Sequence, residues 1–392
     1  MKLAARMASI GTEIAFEAAA RARALEAQGR SIVHLEIGEP DFDTPAGIRE
    51  AAKRALDAGK THYPPFSGIP ELRAAIAADT ALRRGFAPAP EDVFVTVGGK
   101  GVMFYAIVAL VDPGDEVIVP DPGFPIYESV TRFMGGVPVP IGIRQENDFR
   151  LDPAELRSLI TQRTKLLVIN SPANPTGGVL AREDLEAVAA IAIEHDLVVL
   201  SDEIYGRILY GAEHVSIAAL PGMRERTIVL DGFSKTWSMT GWRLGYAIVP
   251  EWLRFAYGRL LINSVSGVAT FAQWGALEAI TGPQDEVDAM VAEFEARRDL
   301  VVDGLNTLPG IRCLRPAGAF YVFPDVSGTG LSGDELADRL LLEAGVSVLS
   351  GTAFGTVGAG HIRLSYATSR ENIAEALRRM RPVLEAAAGT AR

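Results

Sequence analysis

The middle of the chain alternates between two kinds of hydrophobic pattern. Short apolar runs rich in β-branched residues are typical of buried strands: DVFVTVG, DEVIVP, KLLVINSP, LVVLSDEIY and RTIVLDG. Between them lie longer runs with helical spacing, such as KGVMFYAIVALV and REDLEAVAAIAIEHD. Strands and helices that alternate in this way form βαβ units. The pattern therefore predicts an α/β fold with a mostly parallel sheet, covered by helices on both faces.

The two ends of the chain have a different pattern. Long helical runs such as DEVDAMVAEFEARRDLVVDGL and RENIAEALRRMRPVLEAA surround short strand-like segments. We expect residues 1–45 and residues 281–392 to form a smaller α+β domain together, and residues 46–280 to form the large domain.

Composition excludes several functional classes. The chain has 392 residues, of which 48% are hydrophobic, so it can fill a sizeable core. Its 38 basic and 49 acidic residues give a net charge of −11, which argues against sequence-independent binding to nucleic-acid phosphates. Cys313 is the only cysteine, and the histidines lack H-x-x-x-H spacing, so we expect no disulfide and no metal site. No run is apolar enough to span a membrane or to act as a signal core, and we expect a cytoplasmic protein.

Polar groups follow the ends of the predicted strands. The glycine-rich turn VTVGGKG would point backbone N–H groups at an anion, although Gly101 stands where a P-loop needs Ser or Thr. Asn174 follows a strand in SPANPTGG, Asp202 ends another in LVVLSDEIY, and Lys235 follows a third in GFSKTWSMTGWRLGY. Each of these residues alone is explained by ordinary turn or ion-pair chemistry. At the same edge of a sheet they would form a ligand site.

The set as a whole indicates one cofactor, pyridoxal 5′-phosphate (PLP). A phosphate cradle, a buried carboxylate and an amine are what a PLP site needs. The lysine forms a Schiff base with the cofactor aldehyde, and the carboxylate keeps the ring nitrogen protonated, which makes the ring an electron sink.

The chain also resembles a known family. Residues from about 30 to 380 are similar to the class I/II aminotransferases of PLP fold type I, and especially to the bacterial aspartate aminotransferase subgroup. The motif SKTWSMTGWRLGY is highly specific, and it occurs with LEIGEPDFDTP, THYPPFSGIPELR, NPTG, SDEIY and HIRLSYATS. The resemblance implies an enzyme that moves an amino group between an L-amino acid and a 2-oxo acid.

The resemblance implies roles for individual residues around the cofactor. Lys235 would be the Schiff-base lysine and proton carrier, and Asp202 would pair with the pyridine nitrogen. Asn174 and Tyr205 would hydrogen-bond the phenolic oxygen. The residues implied at the phosphate are Ser234, Arg243, the backbone of Gly99, Lys100 and Gly101, and Tyr63 of the other subunit in a homodimer.

The substrate end is implied in the same way. Arg363, with Asn174, would clamp the α-carboxylate, and Gly38 would close over it. At the cofactor, Phe124 stands where aspartate-specific members mostly carry a tryptophan stacked on the ring, so the resemblance implies that Phe124 is the aromatic platform for PLP. Lys100 would bind a distal carboxylate, but the hydroxyl residues that help it in the subgroup fall near Ile14 and Ala15, which are apolar. We therefore expect an aspartate- or glutamate-type enzyme with broadened tolerance.

Other functions are compatible with the same residues. One is an aminotransferase for aromatic, branched or alanine-type substrates, and another is a PLP lyase, since one fold type supports several reactions. A non-catalytic regulator of this fold would carry a DNA-binding module ahead of it, and we expect no such module in the roughly 40 residues that precede the fold here. A structural protein would not require so many costly buried polar groups.

Overall fold

The structure, a computed structural model, describes residues 2–390 of the chain. In them, seven strands form one large sheet, three form a smaller sheet and two form a separate pair. The strands are β1 (Val33–His34), β2 (Val93–Val97), β3 (Glu116–Asp121), β4 (Val137–Gly142), β5 (Thr164–Asn170), β6 (Val198–Asp202), β7 (Thr227–Gly232), β8 (Leu244–Ile248), β9 (Tyr321–Val322), β10 (Val346–Ser347), β11 (Leu349–Ser350) and β12 (Ile362–Ser365). The α-helices are α1 (Ile14–Glu26), α2 (Ala46–Asp57), α3 (Pro70–Arg84), α4 (Gly98–Leu110), α5 (Ile126–Phe133), α6 (Pro153–Leu159), α7 (Arg182–Glu194), α8 (Arg254–Ser264), α9 (Thr270–Thr281), α10 (Asp285–Leu305), α11 (Gly333–Arg339) and α12 (Arg370–Thr390).

The large sheet is mostly parallel. Its order is β2-β8-β7-β6-β5-β3-β4, and the neighbouring pairs are parallel except the two that involve β8. Consecutive residues of β5 enter different core clusters: Val168 packs in one with Val102 of α4, and Ile169 packs in another with Val188 of α7. Helices therefore cover both faces, and the predicted α/β class is confirmed.

Strand β4 was not among the predicted strands. Its sequence VPVPIG carries Pro138 and Pro140, and proline cannot donate to a ladder, which argues against an interior strand. The structure places β4 at an edge of the sheet, where it pairs only with β3 in the described chain. An edge position tolerates the missing donors.

Several strand ends meet at one edge of the large sheet. Asn170 at the end of β5 is opposite Asp202 at the end of β6. Because β8 runs antiparallel, its first residues lie beside the ends of β7 and β2, with Gly245 opposite Gly232 and Leu244 opposite Val97. The start of α4 and the loop between β7 and β8 are thereby brought to the same edge.

The two ends of the chain pack together. Strand β1 pairs in parallel with β10, with Val33 opposite Val346. One core cluster combines Val33 and Leu35 with Phe294 of α10 and Leu384 of α12. The domain boundaries near residues 45 and 280 stay a prediction. Among residues 2–390, the helices include none that is long and apolar enough to cross a membrane.

Candidate active site

A cavity of about 490 Å³ opens at this edge of the large sheet. Polar groups from separate strand ends and loops line it, together with apolar side chains. Most of the predicted site residues are in its lining: Gly38, Gly99, Lys100, Phe124, Asn174, Asp202, Tyr205, Ser234, Lys235, Arg243 and Arg363. Residues that lie far apart in the sequence thus share one pocket of the size that small-molecule sites have.

Two predicted residues are not in the lining. Gly101 lies in the first turn of α4, and a Cβ atom there would contact Thr96 at 3.3 Å, so this side of the residue faces the sheet. Because the helix begins at Gly98, the backbone N–H of Gly101 is the first that donates a hydrogen bond within the helix. It is therefore not free to bind a phosphate. Tyr63 is 92% exposed on the described chain.

One end of the cavity is suited to a phosphate group. The first turn of α4 leaves the N–H groups of Gly99 and Lys100 without intrahelical partners. Arg243 lies beside them, so close that a Cβ atom on Gly98 would be 2.8 Å from its Nη2. Its Nη1 donates to the Thr240 carbonyl at 2.7 Å, and it has no ion pair with a carboxylate of the described chain. Free N–H groups and an unpaired guanidinium together fit a phosphate dianion.

Asp202 is a buried carboxylate. It forms no ion pair with a cationic side chain of the described residues. Its Oδ2 accepts from the Tyr127 hydroxyl at 2.6 Å, and its Oδ1 accepts from the N–H of Ile204 at 3.2 Å. Burial raises the pKa of Asp202 to about 6, although these two hydrogen bonds oppose the change. A protonated ring nitrogen would supply the cation that this carboxylate lacks, so the cavity fits PLP at this end as well.

Lys235 brings an amine into the cavity. Its Nζ donates to the carbonyl of Gly38 at 2.6 Å and lies 5.7 Å from the centre of the Phe320 ring. Burial lowers the pKa of Lys235 to about 8; the charges of Arg363 and Lys100 act in the same direction. Roughly a tenth of the amine is therefore neutral and nucleophilic at pH 7, far more than for an ordinary lysine.

Arg363 is buried and keeps a free donor. Its Nη1 donates to Oδ1 of Asn174 at 3.3 Å, and its Nη2 donates to the Glu36 carbonyl. Its Nε has no hydrogen-bond partner among the described residues, and the guanidinium lies 4.7 Å from the Tyr321 ring centre. A buried, unpaired guanidinium donor is costly unless a ligand completes it, and a carboxylate matches it in charge and geometry.

Two tyrosines of the site were missed. Tyr127 holds Asp202, and Tyr321 hydrogen-bonds Tyr205 through their hydroxyls at 2.7 Å. Tyr321 also lies against Gly38, where an added Cβ atom would be 2.1 Å from its hydroxyl oxygen, so only glycine fits. Both tyrosines are almost fully buried, and in the sequence they look like core aromatics. The segment DPGFPIY, which directly follows a predicted strand, was the one available signal for Tyr127.

The family model for aminotransferase class I and II matches residues 30–380. The chain belongs to this family. Class I/II aminotransferases use PLP, and the protein is therefore a PLP-dependent aminotransferase. The family resemblance, the fold type and the cofactor predicted from the sequence are confirmed.

Relatives match the aminotransferase over nearly its whole length. It is 46% identical over 370 residues to an aspartate/prephenate aminotransferase of Thermus thermophilus. This alignment covers 93% of this chain and 94% of the relative. It is 44% identical over 364 residues to an aromatic-amino-acid aminotransferase of Thermococcus litoralis, covering 92% and 93%. A solved aspartate aminotransferase from Thermus thermophilus with maleate superposes with a TM-score of 0.94 at 44% identity, covering 98% of this chain and all of that one.

Proposed function

We propose that the aminotransferase exchanges the amino group of aspartate or glutamate with 2-oxo acids, and that it also accepts apolar and aromatic amino acids. The observation that carries this proposal is the position of one ammonium group, that of Lys100, beside two aromatic rings that border the cavity. Its Nζ lies 5.8 Å from the centre of the Phe16 ring and 5.7 Å from that of Phe124. Ile14 and Ala15 line the cavity next to them.

This arrangement offers partners to both substrate classes. The ammonium of Lys100 attracts a distal carboxylate, whereas the rings of Phe16 and Phe124 contact an apolar side chain. Ile14 and Ala15 add no hydrogen-bond donor for a carboxylate, so selection against apolar substrates is weak. Relatives with names that specify aspartate, prephenate or aromatic amino acids support the same range.

The residues that would hold PLP form two groups, one at its phosphate and one at its ring nitrogen. Ser234, Arg243 and the start of α4 would bind the phosphate, while Asp202 would face the ring nitrogen, held by Tyr127. When bound, PLP withdraws electrons from the substrate α-carbon through its protonated ring. Tyr205 and Asn174 would donate hydrogen bonds to the phenolic oxygen.

Lys235 and Arg363 would act on the substrate itself. Arg363 would bind the α-carboxylate through its free Nε, which fixes the orientation of the α-carbon. The Nζ atom of Lys235 would then take the proton from this carbon. A pKa of about 8 suits a base that works near neutral pH, because it is available in the neutral form and still holds the proton it takes.

The role of Lys100 is tested by removing its ammonium group. We expect Lys100→Ala to raise KM for aspartate and glutamate about fivefold, on the scale of one partly exposed ion pair, and to leave KM for leucine and phenylalanine within about twofold. The measurement is steady-state kinetics with both substrate classes.

Lys53→Ala is the matched control, because Lys53 is an exposed lysine on α2 that pairs only with the neighbouring Glu50 in the described chain. It should change neither KM. Equal losses of Lys100→Ala on both classes would mean that Lys100 serves the phosphate or the fold. Absence of dicarboxylate activity in the parent enzyme would refute the proposed substrate range.

We also propose that the enzyme is a cytoplasmic homodimer in which Tyr63 reaches the phosphate of the partner subunit's site. The location is supported by Cys313, a buried free thiol that a reducing compartment preserves. The dimer is supported by the exposure of Tyr63, since an exposed large aromatic side chain is typical of an interface.

A mixed dimer tests the role of Tyr63. One subunit carries Lys235→Ala and the other carries Tyr63→Phe, which alone should weaken PLP binding about tenfold. If Tyr63 acts across the interface, one site combines both defects and the other is intact. The intact site should bind PLP with parent affinity, as measured by cofactor titration of the purified mixed dimer. Affinity equal to that of the Tyr63→Phe homodimer would place Tyr63 in its own subunit's site, and an active monomer would exclude the dimer.

A further inference from the structure

Glu13 is a carboxylate in the cavity to which neither the cofactor nor the substrate assigns a role. It lines the cavity, and its Oε1 accepts a hydrogen bond from Nζ of Lys100. Its side chain is 15% exposed, compared with 47% for Lys100. Within residues 2–390, Lys100 is the cation with which it forms an ion pair.

The position of Glu13 in the chain does not explain its side chain. Glu13 is the N-cap residue of α1, yet its side chain makes no capping hydrogen bond to that helix. The residues preferred at this position, Ser, Thr, Asp and Asn, accept from the first backbone N–H groups of the helix. Glu13 instead directs its carboxylate into the cavity, where its charge acts on Arg363 and Lys235 as well as on Lys100.

The charge of the pocket then depends on Glu13. With the Glu13–Lys100 pair intact, the wall that includes Phe16 and Phe124 carries no unpaired ammonium. An apolar side chain bound there meets a neutral wall. A distal carboxylate, in contrast, gains Lys100 only by displacing Glu13, so one carboxylate is exchanged for another and the net gain is small.

We propose that Glu13 is a built-in counter-ion for Lys100, which the distal carboxylate of aspartate or glutamate displaces and which an apolar or aromatic amino acid leaves in place. Glu13 thus determines specificity: it weakens dicarboxylate binding and makes apolar substrates acceptable in the same pocket. The inference rests on the proposed substrate range, in which Lys100 binds the distal carboxylate.

The test compares the parent holoenzyme with Glu13→Gln, which keeps the size of the side chain and removes its charge. Lys100 is then free for a dicarboxylate but unpaired beside an apolar substrate. The ratio of kcat/KM for aspartate to that for phenylalanine should rise about tenfold. This rise combines an increase of about fivefold in kcat/KM for aspartate with a decrease of about twofold for phenylalanine. The binding of maleate, measured by calorimetry, should tighten about fivefold for the same reason.

Glu17→Gln is the matched control. Glu17 lies four residues further along α1, in its first turn, but is exposed and outside the cavity lining. It should leave the aspartate-to-phenylalanine ratio and the affinity for maleate within about twofold of the parent. Glu13→Ala, a second variant without the charge, should move the ratio in the same direction as Glu13→Gln.

The outcomes separate this inference from the function on which it rests. An unchanged or lower aspartate-to-phenylalanine ratio in both Glu13 variants, in an enzyme that uses aspartate, would overturn the role of Glu13 alone. A parent enzyme that uses neither aspartate nor glutamate would overturn the proposed substrate range. Equal shifts in the Glu13 and Glu17 variants would also overturn the inference, because the general charge of α1 would then explain them.

Discussion

Replacing Lys235 with alanine should lower kcat by about 10⁴-fold or more. The amine of Lys235 is the one that the loop after β7 directs into the cavity, and burial lowers its pKa to about 8, as a nucleophile and proton carrier requires. PLP should still bind through its phosphate, because Arg243 and the start of α4 are unchanged. The measurement is turnover of the purified variant loaded with PLP, with its cofactor content determined separately.

Lys165→Ala is the control for this loss. Lys165 is an exposed lysine in β5 that pairs with Asp115 at 3.1 Å, away from the cavity. Its replacement should leave kcat within about twofold. Turnover of Lys235→Ala within tenfold of the parent would contradict the role given to this amine.

The second large effect concerns stability. Arg84→Met should lower the free energy of unfolding by about 3–5 kcal/mol, since among the described residues it leaves the buried Asp231 without its cation and Glu203 with His214 alone. Arg84 ends α3, where Gly85 adopts a left-handed backbone with φ of 76°, and its guanidinium is buried. Its Nε donates to Glu203 at 2.6 Å, and its Nη2 donates to Asp231. Burial acts to raise the pKa of Glu203, but His214 and Arg84 hold it at about 2.

Urea unfolding at a fixed protein concentration measures this effect, because the stability of the proposed dimer would depend on concentration. Arg83→Ala is the control at the preceding position: Arg83 is exposed and pairs with Asp79 on the same helix, so its loss should cost less than about 1 kcal/mol. A loss of similar size in both variants would indicate that helix α3, and not the buried ion pairs, carries the effect.

The buried ion pairs also bear on the site. Glu203 directly follows Asp202, and Asp231 lies on the neighbouring strand β7; the charges of both raise the pKa of Asp202 further. Arg84 pairs with both carboxylates and offsets part of their charge, which limits the repulsion at the end of β6. These buried ion pairs thus support Asp202, the carboxylate that would face the cofactor. Of the residues that form them, only Glu203 belongs to the motif SDEIY.

The strand ends of the site were predictable because hydrophobic periodicity is local. Runs such as LVVLSDEIY fixed the place where β6 ends, and parallel strands then bring their carboxyl ends together. Strand β4 was missed because Pro138 and Pro140 contradict an interior strand, and its edge position follows only from the sheet order.

The rest of the site depends on tertiary contacts that no local pattern reveals. Tyr321 reaches Tyr205 and Gly38 only because β9 packs against the cavity, and a buried tyrosine in GAFYVF looks like core. Glu13 precedes a helix of mostly small and polar residues, where an acidic residue usually stays solvated. Its contact with Lys100 spans 87 positions of the chain.

The visible spectrum of the purified enzyme, followed during half-reactions with single amino acids, tests the central claim most directly. We expect the absorbance of lysine-bound PLP to be replaced by that of the amino form of the cofactor when aspartate or glutamate is added, more slowly with leucine or phenylalanine, and to return when a 2-oxo acid is supplied. Steady release of a 2-oxo acid without any amino acceptor, or no spectral change with any of these amino acids, would contradict the account.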